Sequence, residues 1–200
     1  MGAMALRNLR EAIQALIQRD PLMATQVEAQ DSEVDEFEKR IDATVIAFVS
    51  THSPAASDCR QLLMAIKIST ELEEIADQAT TIARRARELS SCAPQNWPIP
   101  LESIAQHVQE MVAFSLTALD RQDSVLARSV IELDDEVDRQ YAAGIAQIQA
   151  LILADRSMAG PALHWLTIFK AFERAADRSA NIAEEIVFWL EAADIRHSNP

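Results

Sequence analysis

Four pairs of carboxylates stand four residues apart in this chain: Asp31 and Asp35, Glu73 and Asp77, Asp134 and Asp138, Glu173 and Asp177. Residues i and i+4 share one face of a helix, so each pair sets two like charges side by side. That costs roughly 0.2–0.5 kcal/mol if nothing neutralises them. A bound cation turns the cost into a ligand set, because carboxylate oxygens are the donors that cations such as Mg, Mn and Fe take up. The same spacing also arises without any chemistry. At this density of acids chance alone yields on the order of five such pairs, and charge on a long helix commonly marks a solvated face. Nearby bases offer another outlet, with Lys39 four residues after Asp35 and with Arg174 and Arg178 flanking Glu173.

What chance does not produce is the way these pairs repeat. At an offset of 103, Ala15, Leu16, Asp20, Ala24, Val27, Asp31, Glu33, Val34 and Asp35 meet Ala118, Leu119, Asp123, Ala127, Val130, Asp134, Glu136, Val137 and Asp138. Those are nine identities over twenty-one positions, against about one or two for random pairing. Further on the offset becomes 100, and Ile68, Glu73, Ala76, Asp77, Ile82 and Ala83 meet Ile168, Glu173, Ala176, Asp177, Ile182 and Ala183. The four acidic pairs thus fall on two sets of equivalent positions.

The elements that must carry them are helices. Only three glycines occur in 200 residues, aromatics make up 5%, and Ala, Leu, Glu, Gln and Arg abound. Such a composition favours helix and starves turns and strands. Asp20-Pro21 and Ser53-Pro54 each supply an N-cap and a first-turn proline, and Asp123-Ser124 and the stretch from Ser157 to Pro161 punctuate the second half. Six helical segments follow, at roughly 4–19, 21–51, 55–89, 101–120, 124–154 and 159–193. Apolar residues advance by three or four along the third (Leu62, Ile66, Leu72, Ile75, Ala79, Ile82) and the sixth (Leu166, Phe169, Phe172, Ala176, Ile182, Ile186). Long amphipathic helices with short turns predict an all-α chain made of two three-helix bundles. The boundaries expected are residues 1–90, a proline-containing linker at 91–100, and residues 101–200. Glu73 follows Leu72 by one residue, about 100° round the helix, so it flanks the apolar stripe and can meet acids of a neighbouring helix.

These residues resemble the PhoU family. Leu72-Glu73-Glu74-Ile75-Ala76-Asp77, with Ile82-Ala83 beyond, is similar to the family's D-L-E-R-I-G-D helix, and Phe172-Glu173-Arg174-Ala175-Ala176-Asp177 is its second copy. Pro54 to Arg60 resembles the P-x-A-x-D-L-R start of that helix, while Asp31 to Asp35 and Asp134 to Asp138 resemble its D-x-x-I/V-D helix. The resemblance implies a fold of two three-helix bundles and a cytoplasmic bacterial regulator of phosphate uptake, not an enzyme. It implies partners, namely the ATPase subunit of the phosphate ABC transporter and a sensor histidine kinase, and a homodimer. It also implies Fe, Mn, Mg or Zn ions held by Asp31, Asp35, Glu73, Asp77, Asp134, Asp138, Glu173 and Asp177. The chain departs from the family pattern in a shorter first helix, in Glu74, Ala76, Ala175 and Ala176, and in Ser157 to Leu163. A metal-dependent hydrolase and a metal-free helical adaptor are the other readings.

Other chemistry finds little support. Eighteen basic residues against thirty-one acidic ones leave a charge of -13, which opposes nucleic-acid and anionic-membrane binding. The longest apolar stretch, Ala43 to Val49, is far short of a bilayer span, and nothing at the N-terminus suggests export. Cys59 and Cys92 lack C-x-x-C spacing and suit a reducing compartment, with Cys59 expected in the core or an interface. His52, His107, His164 and His197 are scattered and no Glu-x-x-His occurs, which removes the di-iron signature. Trp97 and Trp189 are expected to pack or to anchor a partner.

Overall fold

The computed structural model describes residues 1–92 and 101–192. These form six α-helices: α1 (Gly2–Gln18), α2 (Pro21–Thr51), α3 (Ala56–Ser90), α4 (Leu101–Arg121), α5 (Ser124–Ala154) and α6 (Ala159–Glu191), with a 3₁₀ turn at Arg156–Met158 before α6. Among the described residues there is no strand. The all-helical expectation holds, and helix limits agree with it to within a few residues. Trp97 and His197 lie outside the described residues, as does most of the expected linker.

Helix starts use two of the sequence's cap signals and bypass a third. Asp20 caps α2, its carboxylate accepting from the N–H groups of Leu22 (2.9 Å) and Met23 (3.1 Å), with Pro21 at the first helical position. Asp123 repeats this at α5, accepting from Val125 and Leu126, both at 3.0 Å. Ser53-Pro54 does not. Ala55 takes the N-cap position of α3, and the cap comes from inside the helix, where the Asp58 carboxylate accepts from the Ala55 N–H at 3.2 Å. With Pro54 ahead of the cap, its missing N–H falls outside the first turn that a proline would suit.

Each half folds as a three-helix bundle, α1–α2–α3 and α4–α5–α6, and the halves are joined along α3 and α6. α3 packs on α1, α2 and α6, and α6 packs on α3, α4 and α5, so these two helices form the centre of the molecule. α1 also touches α4, where Gly2 lies so close to Leu116 that an added Cβ would stand 2.5 Å from its Cδ2. Most of the apolar stripes read from the sequence are buried faces: Leu72, Ile75, Ala79 and Ile82 of α3 and Phe169, Phe172, Ile182 and Ile186 of α6 belong to one continuous core, whereas Leu62 and Ile66, near the start of α3, are only half-buried and line a cleft outside it. Trp189 packs against that core as expected. Cys59 does not join it; the residue is exposed and lines an apolar cleft of about 420 Å³ with Val45, Leu62 and Leu63. None of the described helices is long and apolar enough to cross a membrane.

Candidate functional site

The duplicated second and third helices bring the predicted acids together in two sets of four. In the first half α2 carries Asp31 and Asp35 and α3 carries Glu73 and Asp77. Val34 is fully buried on α2 and Leu72 nearly so on α3, so the acids beside them stand at the rim of the helix contact. Burial and the charges of Asp77, Glu38, Glu74 and Asp35 push the Glu73 carboxyl up to about 7. Asp77 is raised by burial and then by Asp31, Glu74 and Asp35, with Arg84 opposing. In the second half α5 carries Asp134 and Asp138 and α6 carries Glu173 and Asp177. Burial, then Asp138, Asp177, Asp135 and Glu173, push Asp134 up to about 7. Asp138 is raised by burial and by Glu173, Asp177 and Asp135, with Lys170 opposing. Every one of the eight predicted acids takes part in its own half's cluster.

Three further acids belong there, and the sequence reading did not single them out: Glu38, Glu74 and Asp135. Glu38 could have been found, because it follows Asp31 by seven and Asp35 by three and so shares their helix face. The basic neighbours behave differently from the spacing argument. Lys39 pairs with Glu36 at 2.9 Å, Arg178 pairs with Glu71 at 3.3 Å and more distantly with Asp177 at 3.8 Å, and it is Lys170 that holds Glu173, at 2.6 Å.

In chemistry the donor sets fit a hard cation, since they are carboxylate oxygens drawn from two helices and repelling one another. As the side chains stand, no group of three or more His, Cys, Asp or Glu residues among those described is gathered closely enough to hold a metal ion. Some of the acids are already engaged. Asp31 Oδ1 accepts from Thr80 Oγ1 at 3.0 Å, and Glu173 is held by Lys170.

One difference between the two halves lies at an equivalent pair of positions beside the clusters. In the first, Thr70 Oγ1 donates to Glu38 Oε1 at 2.9 Å. In the second, Lys170 replaces Thr70 and Tyr141 replaces Glu38, with the ammonium 5.5 Å from the ring centroid. The charges that act on Glu73 are all acidic, whereas its equivalent in the second half, Glu173, is paired directly with Lys170.

Two fused three-helix bundles, each with carboxylates clustered on its second and third helices, define an all-helical protein built by duplication. The chain belongs to the PhoU family: the PhoU domain matches it twice, at residues 1–86 and 101–186. The phosphate-specific transport system accessory protein PhoU homolog of Pseudomonas aeruginosa is 31% identical over 199 residues, covering 98% of this chain and 82% of that protein. The phosphate-specific transport system accessory protein PhoU of Escherichia coli is 32% identical over 197 residues, with the same coverage of 98% and 82%. The crystal structure of PhoU from Pseudomonas aeruginosa superposes with a TM-score of 0.94 at 30% identity, covering 96% of this chain and 93% of that one. A PhoU structure from Streptococcus pneumoniae, at 24% identity and a TM-score of 0.88 over 96% of this chain and 90% of its own, has the same fold.

Proposed function

We propose that this chain is a cytoplasmic bacterial regulator of phosphate uptake that works by docking, not by catalysis. In this reading it binds the ATPase subunit of a phosphate ABC transporter, a sensor histidine kinase, or both, and acts as a homodimer. Its relatives are named as accessory and regulatory proteins of phosphate transport, which supports the reading. Metal ions of the Fe, Mn, Mg or Zn class are its proposed ligands. Asp31, Asp35, Glu73 and Asp77 would hold them in the first half, and Asp134, Asp138, Glu173 and Asp177 in the second. A bound cation would supply positive charge between helices whose acids otherwise repel.

The observation that carries the metal part is that carboxylates from two helices meet twice over, where burial and then the neighbouring acids raise Glu73, Asp77, Asp134 and Asp138. Metal analysis of the purified protein beside the double variant Glu73→Ala/Asp77→Ala tests it. The wild type is expected to retain more metal and to melt higher in added Mn or Fe; equal metal content and equal melting refute the ligand role. The regulatory part has its own test. Deleting the gene should deregulate phosphate uptake, and unchanged uptake refutes it.

A further inference from the structure

The seam between α3 and α6 is pseudo-symmetric, and at one point the symmetry fails. On one side Glu71 of α3 reaches across to α6, where its Oε2 accepts from Arg178 Nη1 at 3.3 Å and from Asn181 Nδ2 at 3.4 Å. The shift of 100 residues that relates α3 to α6 turns Glu71 into Ala171, Arg178 into Gln78 and Asn181 into Thr81. On the other side of the seam, therefore, the donors persist and the carboxylate is gone. Its space remains as a cleft of about 490 Å³, lined by Gln78 and Thr81 of α3 and by Thr167, Lys170, Ala171 and Arg174 of α6.

Three features mark this cleft as built for a ligand. Gln78 is only 7% exposed, and its amide makes no hydrogen bond to any described residue. The Thr81 hydroxyl is likewise unpartnered among the described residues. Arg174 stands where the other half has Glu74, and it forms no ion pair with a described residue. Asp77 also lines the cleft. Since Lys170 is shared with Glu173 at 2.6 Å, Arg174 is the cation left for a ligand.

We propose that the cleft is an oxyanion site, in which a carboxylate or phosphate group takes the place that Glu71 fills on the opposite side. The Gln78 amide and Thr81 hydroxyl donate to it, and Arg174 pairs with its charge. This goes beyond the regulatory reading and does not depend on metal binding.

The test follows the Gln78 side-chain amide by NMR, in a metal-free buffer without oxyanions, during separate titrations with inorganic phosphate and with acetate. Saturable shifts are expected with at least one anion, and which anion produces them identifies the source of the oxyanion. Arg174→Gln should weaken binding about tenfold, the value of one charge-assisted contact. Ala171→Glu, which installs the missing carboxylate, should abolish it. Glu71→Ala, a smaller change that frees Arg178 and Asn181, should raise the stoichiometry from one anion to two. No shift with either anion overturns the proposal, as does binding that Arg174→Gln leaves unchanged or a stoichiometry that Glu71→Ala does not raise.

Discussion

Glu73 and Asp134 each sit among acids that their own fold supplies, with carboxyls pushed up to about 7. The sign of the consequence is fixed. A carboxyl whose folded pKa lies above its unfolded value keeps its proton longer in the native state, so ionisation is what costs stability. For Glu73, stability falls as pH rises from the ordinary 4.5 to about 7, and the penalty is complete above that. Glu73→Gln should therefore stabilise the metal-free protein at pH 8, by on the order of 1 kcal/mol after allowing for solvent screening. At pH 4 the gain should vanish. Urea unfolding in chelator at the two pH values measures it, and equal gains at both would trace the effect to packing instead of charge.

Helix ends are where the duplication is most literal. Arg19 and Gln122, equivalent at the offset of 103, both take left-handed conformations (φ 56° and 53°) at the close of the first helix of each half. Asp20 N–H then bonds Ala15 O, and Asp123 N–H bonds Ala118 O, both at 2.9 Å. The Arg19 side chain goes further and donates to Leu89 O (2.6 Å) and Cys92 O (2.5 Å), closing the end of α3 as well. The caps make a direct comparison possible. Asp123→Ala removes the acceptor for two backbone N–H groups of α5 and should cost about 1 kcal/mol. Ser53→Ala, at a position the sequence pattern also nominates, should change stability by less than about 0.5 kcal/mol because Asp58 does the capping of α3. Chemical unfolding of the two variants side by side separates a working cap from an apparent one.

At the scale of the molecule the repeats have lost their separateness. Leu72 and Ile75 of α3 and Trp165, Phe169 and Phe172 of α6 lie in a single core to which both halves contribute. Lys67 of α3 pairs with Glu185 of α6 at 2.7 Å, and His164 of α6 faces Glu88 of α3 at 3.1 Å. A shared core couples the unfolding of its parts. Phe172→Ala should cost about 3–5 kcal/mol and lower one calorimetric transition in which both halves unfold together. Two resolved transitions, with only the later one displaced, would show instead that each bundle folds on its own.

By itself the sequence determined the helices, their periodic faces, the Asp20 and Asp123 caps and the duplication. All of these follow from local propensity, from residues a few positions apart, or from self-comparison, and none needs knowledge of what packs where. The eight paired acids were readable for the same reason, since i and i+4 share a face whatever the fold. Tertiary structure decided which charges meet across helices. It brought Glu38, Glu74 and Asp135 into the clusters, sent Arg178 to Glu71, and gave Lys170 to Glu173. It also decided what Ala171 means. In the sequence that residue is one mismatch among many, opposite Glu71; across the α3–α6 seam it is the absent carboxylate that leaves the cleft. Such contacts join residues about a hundred positions apart, and their geometry is set by packing between helices, which no periodicity within one helix contains.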